Sequence, residues 1–419
     1  MKKLMSLLLA LCMVFTFCAC GGSDNDGETD QVEIEFYQQN ENDVELFNKI
    51  IADFEAKYPE IKVTQINLPE EESGSVLNTR IQNGDSPDIY NEWFGEDMFN
   101  KVELGVVRDM TDSPLCDYII ESALNQNAYN GRHYLLPMTI NFMGVYYNVE
   151  LFEQYNISIP TTVDEFWEVC ETFAAAGIIP ISAGDKDGWN LAHWGQDVMG
   201  VYMPDYSEEF LKIFDGEMKA SEMNGISDFA DVIINRSKYV QEGPLGADSD
   251  AMVSLFVNQE AAMLINGSWW MGTLNNADMD FEYAVFPFPG KTAEDTLVMS
   301  NPDFSFMLSS TSSEEEQQAA EKFLEYILSE GAAHYIGQSG SPSALKDIEA
   351  DSSRYEALLP YLENGLTFRM PQSARWTGAT YLDYTVAIQN LVDSGDKERF
   401  YEEFEQSLLT SGKPATYVD

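Results

Sequence analysis

The feature that most constrains the fold of this chain is an early strand–helix–strand unit. The segment VEIEFY (32–37) alternates apolar and polar residues, as a half-buried strand does. The following segment places Phe47, Ile50 and Phe54 on one helical face, and IKVTQI (61–66) predicts a second strand. A helix that joins two strands over this length is a βαβ unit, which requires a parallel sheet.

A third strand, PDIYNEW (87–93), is predicted after a polar helix through VLNTRIQNG (76–84). In open parallel sheets the ligand crevice lies beyond the carboxyl ends of the strands. This rule selects two groups of side chains: Gln38, Gln39 and Asn40 after the first strand, and Asn91, Glu92 and Trp93 after the third. Amides with one aromatic ring and one carboxylate suit an uncharged ligand that has hydroxyl groups and an apolar face.

The same alternation returns later in the chain. MGVYYNVELF (143–152) predicts a strand, and the next helix begins with a capping box formed by Thr162 and Glu165. The strand IIPIS (178–182) follows, and we expect a loop beyond its end over residues 183–196. This loop carries four candidate side chains: Trp189, Asn190, His193 and Trp194.

Two adjacent tryptophans occur in MVSLFVNQEAAMLINGSWW. This segment predicts a helix (about 250–257), a strand (261–265) and a new helix near Ser268, a good N-cap residue. Trp269 and Trp270 then lie in the first helical turn beyond a strand. Neighbours on a helix diverge by roughly 100°, so one ring can line the crevice while the other packs behind it.

Length and charge narrow the class of protein. A chain of 419 residues with 44% apolar composition exceeds the usual limit of one core, so two lobes are expected. The formal net charge of −48 repels nucleic acid and disfavours anionic ligands. The three histidines lie outside any ligand spacing, and DKDG (185–188) lacks the other positions of a calcium loop. We therefore expect no metal and no cofactor, and the pairing of Cys116 and Cys170 stays open.

The first segment, MKKLMSLLLALCMVFTFCAC, is typical of a secretory signal because two lysines precede an apolar run. We assign residues 1–19 to a signal peptide and residues 20–30, rich in Gly, Ser and Asp, to a flexible tether. FCAC resembles the lipobox of bacterial lipoproteins, which implies a lipid on Cys20. The alternative is an ordinary signal with an incidental cysteine.

The segment FVNQEAAMLINGSW resembles the signature of extracellular sugar-binding proteins of bacterial ABC importers, with its Ala-Met pair and a glycine two residues before tryptophan. Other segments follow in the order of that maltodextrin- and oligosaccharide-binding family: DFEAKYPEIKV (53–63), GDSPDIY (84–90), PMTINFMGVYYNVELF (137–152), PTTVDEFWE (160–168), FPFPG (286–290) and KFLEYILSEGAAHYIGQSGSPSA (322–344).

The resemblance implies an α/β, two-lobed fold like that of periplasmic binding proteins, each lobe a mainly parallel sheet flanked by helices. Hinge crossovers are expected near Thr139–Met143 and Leu297–Pro302. The expected lobes are an N-terminal lobe of residues 31–140 plus 301–330, and a C-terminal lobe of residues 141–300 plus 331–419.

The resemblance also implies a function that is not enzymatic. A monomeric receptor would capture a neutral mono- or oligosaccharide between its lobes, close on it, and present it to an ABC permease. Lipid on Cys20 would hold the protein at the outer face of the bacterial cytoplasmic membrane.

The family's glycine-x-tryptophan motif places its ring-stacking tryptophan at Trp269. Trp270 has no counterpart in that motif, so we interpret it as the packing partner, with a second stacking face as the alternative. For Trp93 and Trp376, a half-buried position in the core is the alternative to ligand contact. The predicted ligand-binding residues are Gln39, Asn40, Trp93, Asn141, Trp189, Trp269, Trp270, Asp303 and Trp376.

Two other classes of protein stay open. A secreted carbohydrate-active enzyme would need two carboxylates about 5–10 Å apart, and none of the 71 acidic residues stands out as one of such a pair. A binder of peptides or ferric complexes is the other alternative, although peptide receptors of this kind usually run longer and ferric sites favour tyrosine clusters.

Overall fold

The computed structural model describes residues 31–40, 43–68 and 70–414. The predicted signal peptide (1–19), the tether (20–30) and Cys20 lie outside these residues. Within the described part of the chain, no helix combines the length and the apolar character needed to cross a membrane.

The described residues form strands and helices in alternation. The strands are β1 (Val32–Tyr37), β2 (Ile61–Ile66), β3 (Ile89–Glu92), β4 (Ala128–Tyr129), β5 (Arg132–His133), β6 (Leu136–Pro137), β7 (Ile140–Asn148), β8 (Ile179–Ser182), β9 (Ala261–Gly267), β10 (Tyr283–Phe286), β11 (Val298–Pro302), β12 (Ser305–Leu308) and β13 (Thr367–Phe368).

The helices are α1 (Val44–Lys57), α2 (Glu70–Gln82), α3 (Glu96–Glu103), α4 (Glu121–Gln126), α5 (Val149–Gln154), α6 (Val163–Ala175), α7 (Trp189–Tyr202), α8 (Tyr206–Phe214), α9 (Ile226–Arg236), α10 (Ser249–Val257), α11 (Met271–Asn276), α12 (Glu314–Tyr326), α13 (Ala332–Ser339), α14 (Leu359–Glu363), α15 (Pro371–Ala374), α16 (Gly378–Ser394) and α17 (Lys397–Ser411).

The first lobe contains a five-stranded sheet in the order β2-β1-β3-β12-β6. β1 runs parallel to β2 and to β3, and α1 buries its apolar face, including Phe47 and Phe54, against this sheet. The βαβ unit predicted from the sequence is therefore confirmed. β12 returns from the second lobe and pairs antiparallel with both β3 and β6, so the sheet is mixed.

The second lobe contains a six-stranded sheet in the order β13-β11-β7-β9-β8, with β10 also pairing with β7. The long central strand β7 runs antiparallel to β9, β10 and β11, whereas β8 and β9 are parallel. The two-lobed α/β fold is confirmed, but this sheet is not mainly parallel because its central strand enters from the hinge.

Local signals account for the ends of α6. The Thr162 hydroxyl accepts a hydrogen bond from the Glu165 backbone N–H at 3.3 Å, as a capping residue does. The Glu165 carboxylate accepts from the Thr161 N–H at 2.8 Å and not from Thr162, so the predicted capping box is only half formed. Gly177 ends the segment with φ of 77°, a left-handed conformation that favours glycine.

The hydrophobic cores place one boundary later than we expected. α12 continues through a π-helical turn (Ile327–Gly331) into α13, so the chain does not leave the first lobe at residue 331. Tyr335 packs in the first-lobe core, its ring centroid 5.1 Å from that of Phe304 and 5.8 Å from that of Phe47. The return to the second lobe follows residue 350, because Ile348 and Ala350 still pack against the first-lobe core, whereas Tyr355 packs in a second-lobe cluster.

The hinge is formed where β7 and β11 pair side by side. Asn141 lies opposite Asn301 in the register of these strands, and its side-chain oxygen accepts from the Asn301 backbone N–H at 2.9 Å. The Ile140 N–H donates to the Pro342 carbonyl at 2.8 Å, which adds a third segment beside them. Both crossovers expected from the sequence lie in this arrangement.

Candidate ligand-binding cleft

Polar side chains lie at the carboxyl ends of β1 and β3, where the crevice rule placed them. The Gln39 side chain donates to the Asn91 carbonyl at 2.9 Å, which ties the ends of the two strands together. The Asn40 amide donates to the Asp43 carboxylate at 2.7 Å, just before α1 begins. Gln39 and Asn40 are both half-buried, so these contacts fix polar groups that water still reaches.

Trp93 and Asp303 meet beyond the end of β3. The Trp93 indole N–H donates to the Asp303 carboxylate at 3.0 Å, and the Trp93 side chain stays 42% exposed. Asp303 lies in the crossover between β11 and β12, where its backbone N–H donates to the Thr139 carbonyl at 2.8 Å. Trp93 is therefore an accessible ring that Asp303, a residue of the hinge, holds by a hydrogen bond. It does not occupy the half-buried core position that was the alternative.

A second carboxyl group, Asp43, belongs to this cluster. The Tyr335 hydroxyl donates to Asp43 at 2.8 Å. Burial raises the pKa of Asp43 to about 6, although the hydrogen bonds from Tyr335 and Asn40 oppose the shift. Burial likewise raises the pKa of Asp303 to about 6; the bond from Trp93 opposes this and the neighbouring Asp43 adds to it.

Sequence reasoning missed Asp43 and Tyr335. These residues are separated by 292 positions, and Tyr335 reaches the cluster only because α13 stays in the first lobe. We call Asn40, Asp43, Trp93, Asp303 and Tyr335 the polar cluster.

Four aromatic side chains gather at the carboxyl ends of β8 and β9. Trp189 and Trp270 lie nearly parallel, with an interplanar angle of 10° and ring centroids 6.3 Å apart. Trp269 lies 6.4 Å from Trp189 and 5.4 Å from His193, with its ring inclined to both. We call Trp189, His193, Trp269 and Trp270 the aromatic cluster.

The expected loop over residues 183–196 is wrong. α7 begins at Trp189, so Trp189 and His193 are one helical turn apart on the same face. Trp194, on the opposite side, is buried in the core beneath the Arg236 guanidinium, 5.0 Å from its ring centroid. The Asp185 carboxylate of the DKDG segment accepts two hydrogen bonds from Arg236 at 2.8 and 3.0 Å.

Gly267 explains the glycine-x-tryptophan spacing. A Cβ atom built on Gly267 would lie 2.1–2.4 Å from ring atoms of Trp269, so this indole rests directly on the glycine. Ser268 is not the N-cap that we expected: a 3-10 turn (Ser268–Trp270) precedes α11, and the Ser268 hydroxyl instead accepts from the Phe142 N–H at 3.3 Å.

Trp269 and Trp270 pack against different hydrophobic clusters. Trp269 lies against the main core of the second lobe, whereas Trp270 lies against a smaller cluster that includes Phe256 and Leu274. Both indole N–H groups are buried, and neither has an acceptor among the described residues. The Trp269 and Trp270 rings thus point toward different clusters, as expected for neighbours in a helical turn, yet both rings lie beside Trp189.

His193 is a neutral member of the aromatic cluster. Burial lowers the pKa of His193 to about 4, and a hydrogen bond with the Gln372 side chain only partly offsets this. Its ring also stacks with Tyr381 of α16, with centroids 6.0 Å apart.

Two predicted residues lie outside both clusters. Trp376 is only 2% exposed and packs among Phe210, Tyr384 and Phe404, with ring centroids 4.8–6.0 Å apart. Of the two alternatives for Trp376, the structure therefore shows the position in the core. Asn141 is buried in the hinge, where its side-chain oxygen accepts hydrogen bonds from the Asn301 backbone and side chain. Asn141 therefore links the two crossover strands.

The two clusters lie on elements that meet between the lobes. α11 continues directly from the turn that carries Trp270, and it packs on α13, which carries Tyr335. The Cβ position of Gly272 in α11 is 3.5 Å from the Ser339 Cα in α13. The polar and aromatic clusters are therefore joined at one edge by a helix–helix contact.

A second contact joins the lobes at another point. The Gly378 backbone N–H, at the start of α16, donates to the Glu96 carboxylate at 2.8 Å. Glu96 opens α3 just after Trp93, and α16 also carries Tyr381. The polar cluster and the aromatic cluster thus belong to opposite lobes, and the elements that carry them touch at these two contacts.

Among the described residues, no group of three or more His, Cys, Asp or Glu side chains is placed to hold a metal ion. Cys116 and Cys170 are free thiols that belong to different lobes.

Two α/β lobes joined by a hinge of paired strands are the architecture of a solute-binding protein. Residues 49–360 match the sequence profile of the bacterial extracellular solute-binding proteins. The chain belongs to this family.

Similar proteins cover most of the chain. The multiple sugar-binding protein of Streptococcus mutans is 28% identical over 349 residues, which are 80% of each chain. The solved structure of RafE in complex with raffinose has a TM-score of 0.82 at 24% identity and covers 91% of this chain and 100% of its own. The apo form of RafE from Streptococcus pneumoniae has a TM-score of 0.78 at 23% identity and covers 94% and 100%.

Proposed function

We propose that this chain is the extracellular component of an ABC importer and that it captures a neutral sugar between its lobes. The observation that carries the proposal is the aromatic cluster, which gathers Trp189, Trp269 and Trp270 at the carboxyl ends of β8 and β9. The similarity to a multiple sugar-binding protein and to a raffinose complex supports the same class of ligand.

The chemistry of a sugar fits both walls of the cleft. A pyranose presents C–H groups on its faces and hydroxyls around its rim, so flat rings cover the faces while amides and carboxylates bind the rim. Each indole contributes about 150–250 Å² of surface. Asp43 and Asp303 would accept hydrogen bonds from hydroxyls, and Gln39 and Asn40 would add amide groups.

The polar cluster favours a neutral ligand over an anion. Among the described residues that contact Asp43 or Asp303, none is Lys or Arg. Two carboxyl groups without a cation would repel an acidic sugar. The net charge of the chain acts in the same direction.

We favour an oligosaccharide because aromatic rings occur in both lobes. Trp269 and Trp189 lie in the second lobe, whereas the exposed ring of Trp93 lies in the first. Rings in two places would serve more than one sugar unit.

Isothermal titration calorimetry on residues 21–419 tests this proposal. We expect raffinose or another neutral oligosaccharide from a panel to bind with a Kd in the micromolar range or below, and an acidic oligosaccharide of equal length to bind at least tenfold more weakly. Failure of every neutral sugar to bind would refute the proposal.

The carboxyl pair favours one alternative, a carbohydrate-active enzyme. Asp43 and Asp303 share a site, and burial raises the pKa of each, as a general acid requires. Chromatography of each sugar after overnight incubation with the protein separates the two functions. We expect intact sugar; release of smaller products that is lost in Asp303→Asn would establish the enzyme.

Delivery to a permease needs the protein to stay at the membrane. We propose that Cys20 carries lipid and that residues 20–30 act as a tether of roughly 18 Å root-mean-square span. The monomer would then reach a neighbouring permease without diffusing away. Expression of the full chain in a bacterium fed labelled palmitate tests this: we expect label on the wild type and none on Cys20→Ser.

A further inference from the structure

One segment of the second lobe reaches across to the first. Residues 367–378, which we call the strap, comprise β13, α15 and the first residue of α16. β13 pairs parallel with β11 beside the hinge, with Val298 opposite Thr367.

The strap is firmly attached to its own lobe. The Met370 N–H donates to the Asn301 side chain at 2.9 Å, which links the strap to the hinge pair. Gln372 and Gln196 form two reciprocal hydrogen bonds, each 2.8 Å long, which fix the strap on α7. These buried or half-buried bonds make the strap move with the second lobe.

The same strap meets the first lobe through two charged groups. The Arg369 guanidinium lies over the Phe94 ring, 4.3 Å from its centroid, and donates to the Gln126 carbonyl. The Glu96 carboxylate accepts from the Gly378 N–H at the start of the 17-residue helix α16, where the helix dipole favours an anion.

These contacts suit reversible closure. Glu96 and Gly378 are exposed, so water can replace their hydrogen bond when the lobes separate. Among the described residues Arg369 forms no ion pair, and it meets a ring and a carbonyl instead. Separation of the lobes at Arg369 would therefore break no ion pair.

The strap also touches the aromatic cluster. The Gln372 side chain lies beside His193 and opposes the lowering of its pKa, and the His193 ring centroid lies 5.4 Å from that of Trp269. Tyr381, one turn after Gly378, stacks on the other side of His193. The strap and the first turn of α16 thus lie against both the proposed sugar platform and the opposite lobe.

We propose that the strap is a latch that stabilises the closed arrangement of the lobes, with Arg369 and Glu96 as its two contacts with the first lobe. This proposal rests on the proposed function, because closure has a purpose only if a ligand enters the cleft. Loss of the latch shifts the equilibrium toward open lobes and weakens ligand binding without removing a group that touches the sugar.

Small-angle X-ray scattering on the protein without sugar tests the latch by itself. We expect the double variant Glu96→Ala with Arg369→Met to have a larger radius of gyration than the wild type. Loss of a charge-assisted hydrogen bond and a cation–π contact should change the ratio of closed to open protein by about tenfold or more.

The matched control is Asp97→Ala with Arg399→Met. Asp97 shares the first turn of α3 with Glu96, and Arg399 pairs with Glu403 within α17, so the control removes the same charges away from the strap. Glu96→Ala alone serves as a second variant, because its exposed side chain is not needed for folding.

The outcomes separate the two proposals. Equal radii of gyration in the double variant, the control and the wild type would overturn the latch. A larger radius in the double variant alone supports it, even if no sugar binds in the calorimetric panel; in that case only the proposed ligand class fails. If raffinose binds, the double variant should bind it about tenfold more weakly while the control binds it as the wild type does.

Discussion

The Trp269 indole rests on the Cα of Gly267, with ring atoms where a Cβ atom would lie. Gly267 has φ of −87° and ψ of 168°, an extended conformation open to any residue. Glycine is therefore needed here for the space that it leaves and not for its backbone freedom. This relationship gives the glycine-x-tryptophan spacing a physical cause, because the shorter residue forms the seat of the ring.

Gly267→Ala should displace the Trp269 ring. A methyl group in contact with three ring atoms forces the indole to move, and overpacking of this kind costs about 1–3 kcal/mol. We expect a lower melting temperature and at least a tenfold loss of sugar affinity by calorimetry. Gly272→Ala is the matched control, because its Cβ position is 3.5 Å from the nearest atom and the substitution should leave binding unchanged. Equal behaviour of the two variants would contradict the proposed seat.

Trp269→Ala and Trp270→Ala should differ in kind. Trp269 contacts His193 and Trp189 in the aromatic cluster, so its removal should abolish sugar binding. Trp270 packs against a hydrophobic cluster, so its removal should mainly lower stability, by about 2–4 kcal/mol. Calorimetry and thermal melting of both variants check this. Loss of affinity in Trp270→Ala without a change in melting would assign the second ring to the ligand as well.

The elements that the sequence predicted well are those with strong periodicity. β1, α1 and β2 follow the expected bounds closely, because alternating and helical patterns are local properties of the chain. The strand-end rule likewise located Gln39, Asn40 and Trp93 from the order of elements alone.

The features that escaped prediction depend on contacts between distant segments. The 183–196 segment has three glycines and polar residues typical of a loop, but Trp189 begins a helix because Leu191 and Trp194 are buried in the core. Tyr335 reaches Asp43 only because α12 continues into α13, and no local pattern in the sequence indicates that. The core position of Trp376 was one of two alternatives, and packing decided between them.

Sugar affinity and stability should respond to pH in opposite directions at the polar cluster. Asp43 and Asp303 have pKa values raised to about 6, so the folded protein holds their protons more tightly than the unfolded chain does. The two carboxyl groups therefore lower the free energy of unfolding as the pH rises from about 4 to about 6. Ionised carboxylates are the stronger acceptors for hydroxyl groups, so affinity should fall as the pH drops below 6.

Asp303→Asn isolates this effect. We expect the variant to lose affinity at pH 8 but to show a weaker dependence on pH between 5 and 8 than the wild type. Calorimetric titration at three pH values measures both. Asp53→Asn, an exposed aspartate of α1, is the control and should keep the wild-type profile. An unchanged pH profile in Asp303→Asn would exclude this carboxyl group from the binding equilibrium.

Asp197 is a buried carboxyl group whose replacement should stabilise the protein. It lies in α7 and is only 2% exposed, and its carboxylate accepts a hydrogen bond from the Met299 N–H at 3.4 Å. Burial raises the pKa of Asp197 to about 7, and the Met299 bond opposes this only weakly. The raised value means that Asp197 decreases stability progressively as the pH rises from about 4 to about 7, and that the full cost persists above 7.

Asp197→Asn mimics the protonated form, so we expect it to raise the free energy of unfolding by about 2–4 kcal/mol at pH 8 and by much less at pH 5. Urea denaturation at the two pH values measures the difference, and Asp393→Asn, on an exposed position of α16, should match the wild type at both. A constant difference between Asp197→Asn and the wild type across this range would show that the buried carboxyl group does not titrate there.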